Sequence, residues 1–353
     1  MVDQDPTANH PLLEVDGIKT YFYTVDGVAR AVDEVSFDLN RGETLGLVGE
    51  SGCGKSVTAL SIMRLLKAPL GRTIQGEIRF HGEDLLRLSA PRMRDIRGGK
   101  IAMIFQEPMT SLNPVYTIGD QIAEALTAHR NMGSQAAMER AVEMLEKVQV
   151  PSPKKRAGEY PHQLSGGMRQ RAMIAMALSC SPEILIADEP TTALDVTIQA
   201  QIIDLMLELK ADFNTAILMI THDLGVIAEM ARRVAVMYAG KIVEQADVFS
   251  LFEDPKHPYT RGLLASVPRL GERSTGGRRR LREVAGIVPS LYDLPTGCSF
   301  HPRCPEAMDI CLKKRPVLLD LEDGHLVRCW LYPAQAAVAP ERNVPAFRGG
   351  TQG

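Results

Sequence analysis

The sequence predicts an α/β fold built on a mainly parallel sheet covered on both faces. Three observations lead there. Apolar runs of strand length recur at 44–48 (TLGLV), 101–105 (IAMIF), 184–187 (ILIA), 216–220 (AILMI) and 234–238 (VAVMY), several nearly continuous instead of alternating. Helical patterns separate them: Met138, Val142, Leu145 and Val148 fall at spacings of four, three and three, one face of a helix. A glycine-rich stretch, GESGCGKS at 49–56, lies between the first run and the helical segment SVTALSIMRLL. Strands alternating with helices are the mark of an α/β domain.

The remaining elements follow in chain order. The N-terminus, MVDQDPTANHPLLEV, carries acids and prolines instead of a basic patch and apolar core, so no secretory signal is expected. No apolar run approaches the roughly 18–20 residues that cross a bilayer. The chain is therefore expected in the cytoplasm, where stable disulfides are rare. VMYAGKIVEQ reads as two short strands around a hairpin at Ala239–Gly240. After about residue 254 the periodic pattern breaks at DPKHPY and RLGERSTGGRRRLRE, which marks a boundary or linker, with RRRLR a solvated loop. A length of 353 residues suits two or three domains. The net charge of −3 shows no dominating attraction to nucleic acid.

GESGCGKS fits G-x-x-x-x-G-K-[ST] in the strand-then-helix context that this motif requires. Glycines let the backbone amides of Gly49, Ser51, Gly52, Cys53 and Gly54 curl toward an anion, and the helix N-terminus adds its positive dipole end. Lys55 would reach the β- and γ-phosphates, and the Ser56 hydroxyl would bind Mg²⁺. In ILIADEP, Asp188 ends an apolar strand as an oxygen ligand for a hard cation, and Glu189 beside it would polarise an attacking water. In HQLSGGMRQR, Ser165, Gly166 and Gly167 open a second anion site, another glycine-rich helix start. A helix cap by Ser165 accounts for the serine but not for the glycine pair. One nucleotide does not need two such sites in one subunit, whereas a head-to-tail pair does.

LSGGMRQR between a P-loop and ILIADEPTTALD resembles the nucleotide-binding subunit of ABC transporters, over roughly residues 12–250. The resemblance implies an ABC ATPase P-loop fold at 12–254 with an antiparallel β layer and a helical subdomain at about 107–170, followed by a cysteine-bearing extension at 255–353. It implies that Gln106 in IFQEP contacts Mg²⁺ and the attacking water, that Asp195 in TALD lies at the dimer seam, and that His222 in ITHD contacts the γ-phosphate. The family's adenine-stacking aromatic falls in KTYFYTVDG; Phe22 fits the spacing, with Tyr21 and Tyr23 left open.

QEPMTSLNP, HPYTRGLLASVP and the cysteine tail together are similar to the dipeptide/oligopeptide importer ATPases, whose relatives also serve nickel, glutathione and sugar oligomers. That implies an ATPase paired with itself or a homologue, two permease subunits, an extracellular solute-binding protein met indirectly, and a peripheral place on the cytoplasmic membrane face. Chromosome-maintenance ATPases carry a long coiled coil between the two phosphate motifs; here roughly a hundred residues intervene without sustained heptads. Two-cassette translation factors need a second P-loop, and exporter halves fuse a membrane domain; neither is found in this sequence.

Four of six cysteines, Cys298, Cys304, Cys311 and Cys329, crowd the C-terminal part; Cys53 lies in the P-loop and Cys180 follows an apolar helix. Structural zinc favours cysteine pairs two to four residues apart, which are missing here. The importer resemblance implies a [4Fe–4S] cluster on the four thiols, with zinc or unmetallated thiols as alternatives. His301, His325 and Trp330 are expected in structural roles, and the tail is expected outside the hydrolytic machinery.

Overall fold

A computed structural model describes residues 10–106, 111–192, 194–266, 284–321 and 324–332. Two sheets form. The first is antiparallel, in the order β2–β1–β4–β5, with β1 at Leu13–Thr24, β2 at Gly27–Leu39, β4 at Gly71–Phe80 and β5 at Glu83–Asp84. Leu13, Val15 and Ile18 of β1 are buried, and they pack with Val35, Leu39 and Ile78 over one face of the second sheet.

That second sheet holds the runs read from the sequence: β3 (Thr44–Val48), β6 (Ile101–Ile104), β7 (Ile184–Asp188), β8 (Ala216–Thr221) and β9 (Arg233–Tyr238), in the order β9–β3–β8–β7–β6 and all parallel. The continuous apolar runs now have their reason. Leu45 and Leu47, Leu218 and Ile220, Ile184 and Ile186 face the antiparallel layer. Val48, Ile217 with Met219, and Leu185 with Ala187 face the helices on the opposite side. Alternating side chains bury on both faces, so the strand interiors are apolar at successive positions and polar residues fall at the strand ends.

Those helices include Ile118–Arg130, Ser134–Lys147, Gly166–Leu178 and Val196–Phe213. The helix expected around 138–148 forms, with its buried face turned by about one residue. Ala137, Ala141, Met144 and Leu145 are buried, while Met138 and Val142 flank them. The small alanines allow closer approach to Ile118–Arg130 than the larger side chains would. The hairpin at Ala239–Gly240 forms between β9 and β10 (Lys241–Asp247), and both turn residues have positive φ.

Beyond residue 254 the chain stays joined to this sheet. β12 (Leu326–Val327) pairs antiparallel with β10 and with β11 (Leu319–Asp320), so the sheet grows to eight strands. Pro258–Ala265 forms the short helix expected in HPYTRGLL, capped by the His257 ring, which accepts from the Tyr259 amide at 3.0 Å. The basic run RRRLR and residues 107–110 of QEPMTSLNP lie outside the described residues.

Candidate functional site

The loop after β3 is held in a conformation that only glycine permits. A Cβ on Gly49 would lie 2.2 Å from the Met237 carbonyl oxygen, and one on Gly54 would lie 2.1 Å from that of Ala31; both residues have positive φ. Gly54 opens the helix Lys55–Ile62. The Lys55 ammonium folds over the loop, donating to the carbonyls of Gly49 at 2.8 Å and Glu50 at 3.1 Å.

At the end of β7 the Ser56 hydroxyl donates to Asp188 Oδ1 at 3.0 Å. Burial pushes the Asp188 carboxyl up and the neighbouring Glu189 charge adds to it, while the Ser56 bond opposes. Glu189 has φ of +48°, a left-handed conformation uncommon outside glycine and held here by its surroundings. Three side chains converge on it: Gln106 Nε2 donates to Oε2 at 3.0 Å, Thr192 Oγ1 donates to Oε2 at 2.9 Å, and His222 Nδ1 lies 3.2 Å from Oε1. Burial alone would raise this carboxyl, but the bonds from His222 and Thr192 outweigh it and hold it below the usual carboxylate range.

Several of these groups open onto one cleft, about 1070 Å³ in empty volume and continuous with solvent, while Asp188, Thr192 and His222 are not part of its lining. Phe22, Ser51, Gly52, Gly54, Lys55, Ser56, Gln106 and Glu189 line it. Strand alternation separates the three aromatics of KTYFYTVDG. Phe22 faces the cleft, the Tyr21 hydroxyl donates to Asp33 Oδ1 at 3.0 Å on the other face, and Tyr23 is exposed. Cys53 is fully buried in the loop, where burial pushes its thiol up.

Ser165, Gly166, Gly167 and Asp195 do not line the cleft. Ser165 caps Gly166–Leu178 by accepting from the Met168 amide at 3.3 Å, and Asp195 caps Val196–Phe213 by accepting from the Ile198 amide at 3.0 Å. A Cβ on Gly166 would meet nothing within 4 Å. This helix start is open where the P-loop is closed.

The expectation that the tail lies outside the hydrolytic machinery is overturned. Arg303, next to Cys304, forks onto Glu50 of the P-loop with bonds of 2.6 and 2.9 Å, and the Tyr259 hydroxyl accepts from the Glu50 amide at 2.9 Å. Phe300, Tyr238 and Tyr259 pack edge-on at centroid distances of 4.7–5.4 Å. Ser290, Leu291 and Tyr292 line the nucleotide cleft itself. Sequence reasoning missed these residues because their partners lie from about twenty to more than 200 positions away in the chain, beyond any local pattern. His325, His301 and Trp330 take the structural roles expected: His325 Nε2 lies 2.8 Å from Glu244 Oε1, His301 Nδ1 lies 2.9 Å from the Cys298 carbonyl, and the Trp330 indole donates to the Lys314 carbonyl.

The four tail cysteines share one neighbourhood. Burial, with the nearby thiols adding, pushes Cys298 up to about 11 and Cys329 up to about 12. Among the described residues no group of three or more His, Cys, Asp or Glu is placed to hold a metal ion. The iron–sulfur expectation and its zinc alternative gain no support from this arrangement. No helix among the described residues is long and apolar enough to cross a membrane.

Residues 32–192 match the family model of the ABC transporter, and residues 243–311 match the oligopeptide/dipeptide transporter C-terminal region. The chain is 57% identical over 319 residues to the probable peptide ABC transporter ATP-binding protein y4tR of Sinorhizobium fredii, covering 90% of this chain and 94% of that one. It belongs to the ABC transporter ATPases. Within that family it is 53% identical to the oligopeptide transport ATP-binding protein AppD of Bacillus subtilis, over 92% of this chain and 98% of AppD. Against the dipeptide transport ATP-binding protein DppD of Escherichia coli the identity is 48%, over 93% and 99%. The bacterial ABC transporter cassette MJ0796, solved as a dimer, superposes with a TM-score of 0.60 at 27% identity, over 67% of this chain and 98% of that cassette. The same cassette is also known in a post-hydrolysis state bound to ADP and Pi. The fold and the ATPase activity of this chain follow from its family.

Proposed function

We propose that this ABC ATPase is the hydrolytic subunit of an importer for di- or oligopeptides, acting as one half of a head-to-tail ATPase pair. The names of the relatives and the match of the C-terminal region support the cargo class. On this reading residues 12–254 are the nucleotide-binding domain, with a helical subdomain at about 107–170, and 255–353 are the extension. The pair docks on two membrane permease subunits at the cytoplasmic face and meets the solute-binding protein only through them.

The observation that carries the hydrolytic role is Glu189 at the cleft, bonded by Gln106 and held below the usual carboxylate range by His222 and Thr192. Phe22 stacks on adenine, and the loop amides of Gly49, Ser51, Gly52, Cys53 and Gly54 with Lys55 cradle the phosphates. Ser56 and Asp188, with Gln106 beside them, present the hard oxygen donors that suit Mg²⁺, which when bound neutralises phosphate charge. Glu189 orients and polarises the attacking water, and His222 bonds the γ-phosphate. Ser165, Gly166, Gly167 and Asp195, which do not line their own cleft, serve the nucleotide of the second subunit. Closure around two nucleotides moves the permeases, and hydrolysis resets the pair.

Glu189→Gln removes the ionised oxygen and keeps the shape. Turnover should fall at least about 100-fold while ATP binding and the closed dimer persist; hydrolysis at the parental rate overturns the assignment. Uptake of labelled di- and oligopeptides by the reconstituted complex tests the cargo, with nickel, glutathione and sugar oligomers as the competing outcomes. A [4Fe–4S] cluster on Cys298, Cys304, Cys311 and Cys329 rests on the sequence resemblance alone. Iron analysis and absorbance after anaerobic purification test it, and a colourless, iron-free protein with full ATPase activity overturns it.

A further inference from the structure

The nucleotide cleft has a wall that none of the phosphate motifs supplies. Ser290, Leu291 and Tyr292, which follow the linker and precede the cysteines, line the cleft together with the P-loop residues. This segment is anchored at several points. The Arg30 amide of β2 donates to the Leu291 carbonyl at 3.0 Å. The Tyr292 amide donates to Ser290 Oγ at 3.3 Å, and the Asp293 amide closes a turn on the Ser290 carbonyl at 3.0 Å. The Thr24 hydroxyl, at the end of the strand that carries Phe22, donates to the Tyr292 hydroxyl at 3.3 Å.

The root of the segment is fixed as well. Arg303 donates to the carbonyls of Val284 at 2.9 Å and Ala285 at 3.0 Å while its guanidinium forks onto Glu50. One side chain thus binds the P-loop and the start of the wall together. Tyr292 itself is 47% exposed, and it lines the same open cleft as Phe22. An aromatic face with a hydroxyl at its edge suits a purine face and ribose hydroxyls, and offers little to a triphosphate, which seeks amides and cations.

We propose that Tyr292 is a binding residue for the nucleoside end of ATP, completing with Phe22 a site whose two walls come from opposite ends of the chain. The proposal rests on the ATP reading above and deepens it. The cysteine-bearing extension is then part of the nucleotide site, and its folding is required for full ATP affinity.

Titration calorimetry of the full chain with ATP and with inorganic triphosphate tests this. Tyr292→Ala should weaken ATP binding about tenfold, the scale of one aromatic–base contact, and leave inorganic triphosphate binding unchanged. Tyr292→Phe, which keeps the ring, should retain most of the ATP affinity. Lys55→Ala, measured alongside, should lose both ligands. Parental ATP affinity in Tyr292→Ala, with Lys55→Ala impaired, overturns the role of Tyr292 and leaves the ATP reading intact. An equal loss of both ligands in Tyr292→Ala overturns it too, because the effect then passes through the P-loop. Unchanged binding in Lys55→Ala instead strikes the ATP reading itself.

Discussion

Two helices of this ATPase begin with the same local chemistry and end in opposite surroundings. Gly54 opens Lys55–Ile62 under a roof, with the Ala31 carbonyl 2.1 Å from where its Cβ would stand. Gly166 opens Gly166–Leu178, where a Cβ would meet nothing within 4 Å. Both present amides at a positive dipole end. The first is enclosed by its own chain: Lys55 folds over it, and the C-terminal extension buttresses its loop through Glu50. The second stays open, and on the proposed function it is half a site that another subunit completes. A glycine-opened helix start therefore defines an affinity for anions, and the surrounding fold decides whether that affinity is used within the chain or across an interface.

The contrast can be broken by substitution. Gly54→Ala should have the largest effect. With φ of +107° and backbone in the way, it should cost more than about 3 kcal/mol and abolish ATP binding, read by thermal unfolding and calorimetry. Gly166→Ala should leave stability within about 1 kcal/mol, since alanine is the better helix former and space is open. ATP affinity of the single chain should hold while turnover of the assembled pair drops more than about tenfold. If single-chain affinity drops as well, the two helix starts are not separate sites.

The enclosure of the first site can be loosened from outside. Arg303→Ala strands Glu50 and should destabilise the protein by about 2–3 kcal/mol, less than a fully buried pair because Glu50 keeps some contact with water. Weaker ATP binding should accompany it.

A smaller effect comes from pH. Burial holds His257, at the seam between core and extension, down to about 4, whereas in the unfolded chain it titrates near 6.5. Unfolding therefore takes up a proton between about pH 6.5 and 4. Stability should fall as pH drops through that window, by at most about 3 kcal/mol, and be flat from this group above it. Glu244, which burial would raise but bonds from His325 and the Lys256 and His257 amides hold low, adds to the loss below about pH 4.5. Melting temperature against pH, compared with His257→Gln, checks the slope.

The phosphate motifs were legible because each is a contiguous run whose backbone conformation makes its own chemistry. Asp188 and Glu189 follow from the strand that carries them. Choosing Phe22 over Tyr21 and Tyr23 needed the strand's orientation, which places odd and even residues on opposite faces. The turn of the helix Ser134–Lys147 toward its alanines needed the neighbour against which it packs.

By itself, the sequence determined the parallel sheet, the P-loop, the acidic pair after β7 and the hairpin at Ala239–Gly240, because these depend on residues within a turn or a strand of one another. Only the tertiary structure decided that Arg303 meets Glu50, that Tyr259 holds the P-loop amide, and that Tyr292 faces the nucleotide cleft. Those partners stand more than 200 residues apart along the chain. No periodicity or spacing encodes such pairs. They form because β10 and β12 bind the extension to the edge of the same sheet that carries the loop.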